Sequence, residues 1–376
     1  MDTKDNLGLP PAEGLFDRII QFSIRNAIWV MLFVVAWIGV GIYSYQKLSI
    51  DAVPDITNVQ VQINSQAGGF TAPEVEQRIT YPIENAMSGI PNLEQTRSIS
   101  RYGLSQVTVI FKDGTDIYWA RQLINQRLQE AKSALPDDID PQMSPISTGL
   151  GEIYQWVVKA EPNAKKADGT PYQAMDLREI QDWIIRPQLQ RVPGVAEINT
   201  IGGYNKTYVV SPDLKRLQQL QIPLTDLQTV LTENNENRGA GFIEENGQQL
   251  TVRIPGMLKT VQDIENVTVS TKNGLPIRVA DVATVSIGHD LRTGDATYNG
   301  DETVFGIAMM MMGENSKSIA QALDSKMQEI KRSLPEGVVI ETVYNRSHLV
   351  DKAIKTVAKN LIEGAILVIV ILFVFL

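Results

Sequence analysis

The sequence contains no cysteine and only two histidines, and its acidic side chains outnumber the basic ones. Without cysteine the chain has no disulfide framework, thiolate metal site or cysteine nucleophile. His289 and His348 alone leave little material for a zinc hydrolase site or a histidine-based triad. The 34 Lys and Arg residues against 43 Asp and Glu give a net charge of −9. This charge argues against nucleic acid as a partner, because phosphate binding needs a basic surface.

The 376 residues, 43% of them hydrophobic, suffice for two or three domains with buried cores. The apolar residues are unevenly spread, and Ala27–Tyr45 has nineteen positions without a charge. As a helix this segment is about 29 Å long, just enough to cross a hydrocarbon core of about 30 Å. A cleaved signal peptide is the alternative, but it has a shorter apolar stretch, and four acidic residues precede the segment here. The sequence therefore predicts a retained transmembrane helix over residues 27–46.

The segment before this helix, Leu15–Asn26, has apolar residues at helical spacing with Arg18 and Arg25 between them. This pattern is typical of an amphipathic helix lying on a membrane surface. Two arginines before the span against one lysine, Lys47, after it favour a cytoplasmic N-terminus, since basic residues tend to stay on the cytoplasmic side. We therefore expect residues 1–26 to form a cytoplasmic amphipathic N-terminus.

A second apolar segment lies at the other end of the chain. Gly364–Leu376 is a run of thirteen apolar residues, preceded by three lysines, whereas a spanning helix needs about 20 residues. We expect residues 361–376 to begin a second transmembrane helix that is cut short, so that the chain is the N-terminal part of a longer protein. A buried core helix is the alternative. The long polar region between the two apolar segments is predicted to be extracytoplasmic.

The polar region contains an internal repeat. The stretch Val107–Asp138 resembles Phe305–Gly337 at a constant offset of 199 positions, with a strand, a glycine turn, a long amphipathic helix and a Leu-Pro pair in each copy. A second echo relates Ser88–Gly103 to Gln190–Tyr204, where a helix ends at proline and a strand runs to a Tyr/Gly turn. These repeats predict two copies of one α/β unit.

Hydrophobic periodicity gives the order of elements within each copy. The first copy is predicted to contain a strand at 58–65, a helix at 72–87, a hairpin at 93–101 and 105–112, and a helix at 116–134. This β-α-β-β-α order is that of a split βαβ, ferredoxin-like unit. The second copy starts at 152–160 and 177–191 and resumes at 297–344, with a loop-rich insertion between its halves. Asn-Gly pairs at 246–247 and 273–274 predict hairpin turns in that insertion.

Several longer motifs are similar to those of one family of membrane transporters. They are SIDAVPDITNVQVQI (Ser49–Ile63), APEVEQRITYPIE (Ala72–Glu84), FKDGTDIYWARQ (Phe111–Gln122), LREIQDWIIRPQL (Leu177–Leu189) and GENSKSIAQAL (Gly313–Leu323). Together with the membrane helix and the duplicated units, they make the chain resemble the opening of a resistance-nodulation-division (RND) efflux pump. The resemblance runs from Leu15 to Leu376, and the motifs are more similar to those of the cobalt-zinc-cadmium pumps than to those of the copper-silver pumps.

The resemblance implies an α/β membrane protein with duplicated ferredoxin-like βαββα porter subdomains between two transmembrane helices. On this mapping the first porter subdomain is 49–141, the second is 142–192 with 296–344, and an inserted docking subdomain is 193–295. The resemblance also implies a homotrimer in the bacterial inner membrane, with a large periplasmic loop. Such pumps work with a periplasmic adaptor (a membrane fusion protein) and an outer-membrane channel, and proton influx drives the export of divalent metal cations.

The implied protein is a transporter and not an enzyme, and it has no cofactor because the metal ion is its substrate. In RND pumps the proton-relay carboxylates and much of the substrate cleft lie beyond the part matched here, so this segment alone is not expected to pump. A multidrug RND exporter is the nearest alternative, although 7% aromatic residues do not favour an aromatic-lined pocket. A two-helix receptor with an extracytoplasmic sensor domain and a truncated product without a transport role are further alternatives.

Two acidic residues are candidate metal contacts. Glu152 stands at the start of an otherwise apolar strand, between glycines and a Tyr/Trp stretch. A carboxylate there suits a borderline cation such as Zn²⁺, whereas Cu⁺ prefers thioether sulfur. Asp182, on the adjoining helix, could approach the same entrance. The alternatives are a solvated glutamate for Glu152, and a helix cap or an ion pair for Asp182.

Other conspicuous residues have simpler interpretations. The run Met309–Met312 cannot converge on one ion, because alternate side chains of a strand point to opposite faces, so core packing is preferred. The acidic residues at 137, 138 and 140 lie beside two prolines and fit a turn. Glu244 and Glu245 precede a predicted hairpin tip, which is a docking loop by resemblance. The two histidines are too far apart in the sequence to form an obvious ligand pair.

Overall fold

The computed structural model describes residues 14, 22–24, 26–47, 57–245, 248–254, 256–272, 274–290, 292 and 294–375. The first helix, α1, is Ala27–Lys47, which agrees with the span expected at 27–46. Its apolar side chains are exposed, and the helix is long and apolar enough to cross a membrane. The amphipathic helix expected over Leu15–Asn26 lies outside the described residues, except at positions 22–24 and 26.

The first α/β unit is a four-stranded antiparallel sheet covered by two helices. Its elements are β1 (Gln60–Gln66), α2 (72–87), β2 (Leu93–Arg101), β3 (Leu104–Phe111), α3 (Ile117–Ala131) and β4 (Gln142–Met143). Alternate residues of β1 are buried, with Val61 and Ile63 in the core and Gln62 and Asn64 on the other face. This is the period-two pattern of a strand with one face on a core.

A second unit begins after β4 and is interrupted by a long insertion. It starts with β5 (Glu152–Ala160), α4 (174–189) and β6 (Val195–Ile201). The insertion contains β7 (Lys206–Pro212), α5 (Leu214–Leu220), α6 (Leu224–Glu233), β8 (Arg238–Glu245), β9 (Gln248–Ile254), α7 (Val261–Glu265), β10 (Thr268–Lys272), β11 (Leu275–Arg278), α8 (Val279–Val282) and β12 (Ala283–His289). Its strands pair as β7-β12, β8-β9 and β10-β11, beside a small hydrophobic core of its own. The pairs β8-β9 and β10-β11 are the hairpins expected from the Asn-Gly signals, and part of each turn lies outside the described residues.

The chain then returns to the second unit, by way of the separate two-stranded pair β13-β14. The elements are β13 (Thr297–Tyr298), β14 (Asp301–Glu302), β15 (Val304–Met310), α9 (Ser316–Lys331) and β16 (Val338–Asn345). The first sheet has the order β2-β3-β1-β4 and the second β16-β5-β15-β6. Counted within each unit, both orders are 4-1-3-2, so the segments related by the 199-residue offset, β3-α3 and β15-α9, occupy equivalent places.

The first helix of each unit contains a π-helical turn just before a proline. Glu76–Thr80 in α2 precedes Pro82, and Gln181–Ile185 in α4 precedes Pro187. Proline lacks an N–H, and in an α-helix its ring collides with the carbonyl four residues earlier, so a wider turn relieves the collision. Such turns are frequent at functional sites, and the one in α4 contains Asp182.

The last helix, α10 (Arg346–Phe375), follows β16 without a linker. It is 30 residues long, and its apolar window is exposed throughout. Within the described residues this window is therefore not part of a buried core. Among its described residues, those buried against the folded part are Arg346, Ser347 and Val350, all in the first two turns. Both ends of the chain thus carry a helix that could cross a membrane.

Candidate functional site

The second sheet has one face beneath helices α4 and α9 and a second face, called here the far face, that carries polar side chains. Ala308 of β15 lies between Tyr154 of β5 and Ile198 of β6, and all three are fully buried under the helices. Because side chains alternate along a strand, the residues next to this row point to the far face.

Two glutamates and a methionine form one row on the far face. Met309 of β15 pairs with Glu152 of β5 on one side and with Glu197 of β6 on the other. The two outer strands are two strand spacings apart, about 10 Å, so the two glutamates face the same side of the sheet with Met309 between them. The adjacent far-face row contains Gln155 and Asn199, so amide groups flank the carboxylates.

A β-bulge places Glu152 on this face. The register of β5 shifts by one residue between Ala308 and Met309, and Ile153 is the residue left without a partner. Because of the extra residue, the side chain of Ile153 points into the helix-covered core, where it is fully buried. Glu152 then lies on the same sheet face as Gln155. Without the bulge the two residues would exchange faces.

Each of the two carboxylates accepts a hydrogen bond from an amide side chain of its own strand. Gln155 Nε2 donates to Glu152 Oε2 at 3.0 Å, and Asn199 Nδ2 donates to Glu197 Oε1 at 3.2 Å. Both glutamates are half-buried, and within the described part of the chain neither has a basic ion-pair partner. Because a partly desolvated carboxylate without a counter-charge is unfavourable, the pair is well suited to bind a cation.

The Glu197 end of the row opens into a cleft between the two sheets. The cavity has a volume of about 500 Å³. It is lined by Asn64, Gln66, Asp138, Asp140, Gln142, Met143, Ser144, Pro145 and Glu197. Lys132 donates a hydrogen bond to Asp140 at 3.1 Å, and this bond lowers the pKa of Asp140. The lining is rich in carboxylate and amide oxygens, the ligands that hard and borderline divalent cations prefer.

Asp182 lies on the other side of the sheet. Its Oδ2 accepts a hydrogen bond from Arg178 Nε at 2.5 Å and its Oδ1 accepts one from Thr200 Oγ1 at 2.8 Å. Thr200 belongs to the helix-covered face, in the row of Trp156. The structure therefore does not bring Asp182 and Glu152 together, and it contains the ion pair that was the alternative for Asp182. Metal contact by Asp182 stays a prediction, which the occupied oxygens disfavour.

The methionines at 309–311 and His289 lie in different environments. Met310 packs in the core, Met309 lies on the far face, and Met311 is exposed. The ring of His289 lies against that of Tyr204, with centroids 4.6 Å apart. Among the described residues, no three His, Asp or Glu side chains are close enough to hold a metal ion together. A cation at the glutamate pair would therefore complete its shell with amide oxygens, a thioether or water.

Comparison with known proteins identifies the relatives of the chain. The model of the AcrB/AcrD/AcrF family matches residues 19–376. The chain belongs to the AcrB/AcrD/AcrF family. It is 60% identical over 362 residues to the cation efflux system protein CzcA of Alcaligenes sp. strain CT14 and to the cobalt-zinc-cadmium resistance protein CzcA of Cupriavidus metallidurans. Each alignment covers 96% of this chain and 34% of the relative.

A solved structure of the same kind has a similar fold. The crystal structure of a heavy metal efflux pump superposes with a TM-score of 0.81 and 30% sequence identity, covering 92% of this chain and 34% of that one. This AcrB/AcrD/AcrF family member thus spans about a third of the length of the relatives it matches. The resemblance to RND heavy-metal pumps that the motifs predicted is confirmed.

Sequence reasoning missed Glu197 in this family member. The available signal was the alternation in β6, where Glu197 and Asn199 flank the apolar Ile198 and so belong to a polar strand face. The proximity of Glu197 to Glu152 depends on β15 lying between β5 and β6. That arrangement joins strands on either side of a long insertion, and no local pattern reveals it.

Proposed function

We propose that the chain is part of a proton-driven exporter of divalent heavy-metal cations, of the cobalt-zinc-cadmium type, in the inner membrane of a Gram-negative bacterium. The observation that carries the proposal is the 60% identity to cobalt-zinc-cadmium resistance protein CzcA over 96% of the chain. The acidic row on the far face supports it, because Glu197 at one end of the row supplies carboxylate oxygens to the cleft between the two sheets.

Within this function, Glu152 and Glu197 bind the cation as it crosses the porter region. Two carboxylates and neighbouring amides favour Zn²⁺ and similar borderline ions over Cu⁺, which needs several soft sulfur ligands. Met309 between them offers one thioether at most. An aromatic-lined pocket for organic molecules would need different side chains, so the acidic row favours a metal substrate over the multidrug alternative. Asp182 stabilises α4 against β6 and does not share this cation.

The proposed domain bounds are those expected from the sequence, and they differ from the two sheets at two strands: β4 (Gln142–Met143) pairs with β1 of the first sheet, and β6 (Val195–Ile201) pairs with β15 of the second. Residues 49–141 form the first porter subdomain, and 142–192 with 296–344 form the second. Residues 193–295 form the docking subdomain, whose inserted elements run from β7 to β12. Support comes from the matching strand order of the two sheets and from the separate small core of the insertion.

The membrane arrangement and the partners follow from the family. The N-terminus is cytoplasmic, α1 and α10 cross the bilayer, and the α/β units are periplasmic. The working assembly is a homotrimer that contacts a periplasmic adaptor and an outer-membrane channel. The protein is a transporter and not an enzyme, and it has no resident cofactor, since the metal ion is its cargo.

The test is to neutralise each glutamate without changing its shape. Glu152→Gln and Glu197→Gln are expected to weaken Zn²⁺ binding at least tenfold each, or about 1.4 kcal/mol, because each removes one anionic ligand. Zn²⁺ affinity is measured by isothermal titration calorimetry on the purified chain in detergent. The matched control is Glu233→Gln, an exposed glutamate of the insertion, which should leave the affinity unchanged.

The same variants are then introduced into the complete open reading frame and expressed in a metal-sensitive bacterium. Loss of resistance to zinc, cobalt and cadmium in Glu152→Gln and Glu197→Gln, but not in Glu233→Gln, supports the proposal. If neither Glu152→Gln nor Glu197→Gln changes the Zn²⁺ affinity, the glutamate pair is not a cation site and this part of the proposal is refuted. Resistance to dyes but not to metals in the unaltered protein favours a multidrug exporter.

A further inference from the structure

The first residue of helix α10 is a buried arginine. Arg346 follows β16 directly and is only 6% exposed. Its NH1 donates a hydrogen bond to the backbone oxygen of Leu150 at 2.9 Å. A guanidinium group gives a charge-assisted, directional hydrogen bond, and at a buried site that bond is not weakened by water. The positions of the start of α10 and of Leu150 are therefore linked.

A second contact holds the start of α10 on the folded part. Lys317, near the N-terminus of α9, pairs with Asp351 of α10 at 2.6 Å. Ser347 donates its backbone N–H to Asn345 Oδ1 at 3.0 Å, which caps the helix. The first turns of α10 are thus fixed on the second unit, whereas the apolar half of the helix is exposed.

Leu150 belongs to the turn that leads into Glu152. Gly149–Gly151 form a short 3₁₀ turn, and the next residue is Glu152. This turn lies against the end of β15, since a Cβ atom added at Gly151 would come within 3.1 Å of the backbone oxygen of Met310. Because there is little free space around the turn, a displacement of the turn also moves Glu152. Glu197 lies on β6, on the other side of β15, and does not share this turn.

We propose that Arg346 is a positioning residue that connects the membrane helix α10 to the cation site. It ties the first turn of α10 to the 149–151 turn, so that the location of the helix sets the position of the Glu152 carboxylate relative to Glu197. Cation affinity at the pair therefore depends on where α10 stands. The proposal rests on the proposed cation site and adds to it a mechanical route from the membrane.

The test combines a binding readout with a metal-free one. Arg346→Met keeps an apolar stem but removes the donor, and Arg346→Lys keeps a charged donor without the planar fork. Zn²⁺ affinity is measured by calorimetry, and hydrogen exchange of a peptide covering residues 148–156 is measured by mass spectrometry without metal. We expect faster exchange in this peptide and about tenfold weaker Zn²⁺ binding for Arg346→Met, and an intermediate result for Arg346→Lys. The control is Arg332→Met, an exposed arginine at the end of α9, which should change neither.

Each other outcome overturns the proposal in a recognisable way. Unchanged exchange at 148–156 shows that Arg346 does not hold the turn. Faster exchange with unchanged Zn²⁺ affinity shows that the turn does not set the site, provided that Glu152→Gln does weaken binding. Faster exchange throughout both sheets in both Arg346 variants shows a general structural role. If Glu152→Gln leaves Zn²⁺ binding unchanged, Glu152 is not part of a cation site. The proposed role of Arg346 is then refuted as well, whatever the hydrogen-exchange data show.

Discussion

Replacing Gly306 by alanine tests how tightly the second sheet is packed. Gly306 of β15 lies beside the indole of Trp156, which is fully buried. An ideal Cβ at this position would lie 2.2 Å from Cε2, 2.4 Å from Cζ2 and 2.6 Å from Nε1 of that ring. Ordinary contacts begin near 3.4 Å, so the ring has to move by about 1.2 Å. It cannot do so freely, because Nε1 donates a hydrogen bond to Gln181 Oε1 at 2.9 Å.

Two costs add in this variant. Overpacking a well-filled core costs about 1–3 kcal/mol. A weakened bond that leaves the buried Gln181 oxygen without its donor costs about 1–3 kcal/mol more. We therefore expect Gly306→Ala to lower the free energy of unfolding by about 4 kcal/mol, between the limits of about 2 and 6 that these terms give.

The assay is urea unfolding of the purified chain in detergent, followed by circular dichroism. The matched control is Gly239→Ala, since a Cβ atom added at Gly239 of β8 would have no neighbour within 4 Å, and its effect should stay within about 0.5 kcal/mol. A double-mutant cycle with Trp156→Leu isolates the collision, because the penalty for Gly306→Ala should shrink once the indole is gone. A Gly306→Ala variant as stable as the unaltered protein, or a penalty that persists fully without the indole, would refute the packing argument.

Two further predictions concern the helix-covered face. Asp182→Asn should lower the free energy of unfolding by about 1–3 kcal/mol, because it leaves the partly buried Arg178 without its counter-charge. The Zn²⁺ affinity should not change in this variant. A loss of affinity would show that Asp182 belongs to the cation site. Burial raises the pKa of the Tyr154 hydroxyl. In the unfolded chain this hydroxyl ionises near pH 10, whereas in the folded chain it stays neutral. The contribution of Tyr154 to the free energy of unfolding is therefore fully present below pH 10 and declines above it. Thermal unfolding from pH 7 to 11 should show a shallower alkaline decline in Tyr154→Phe, and an identical decline would contradict this assignment.

Much of the fold is encoded locally and could be predicted. The apolar run gave the limits of α1 almost to the residue, because a bilayer sets a minimum length that few other segments meet. The two related stretches at the 199-residue offset form equivalent strand-helix pairs, because the same spacing of apolar residues gives the same buried face on each strand and helix. The motif resemblance pointed to the family for a similar reason, as contiguous residues carry it.

The candidate site depended on contacts that no contiguous segment contains. Sequence reasoning selected Glu152 and Asp182 as neighbours, but the sheet separates them onto opposite faces, where Asp182 pairs with Arg178. It passed over Glu197, which only the position of β15 between β5 and β6 brings opposite Glu152.

The two long apolar helices, the duplicated units and the carboxylate at the start of β5 are all specified by contiguous residues. The direction in which that carboxylate points depends on how the strands pair. Simple alternation from Gln155 would put Ile153 on the far face and Glu152 in the core, and the bulge at Ile153 reverses both. The physical reason is that strand side chains have a period of two, so one extra residue exchanges the faces, and whether a bulge forms is settled by the packing of the paired strands and not by the strand alone.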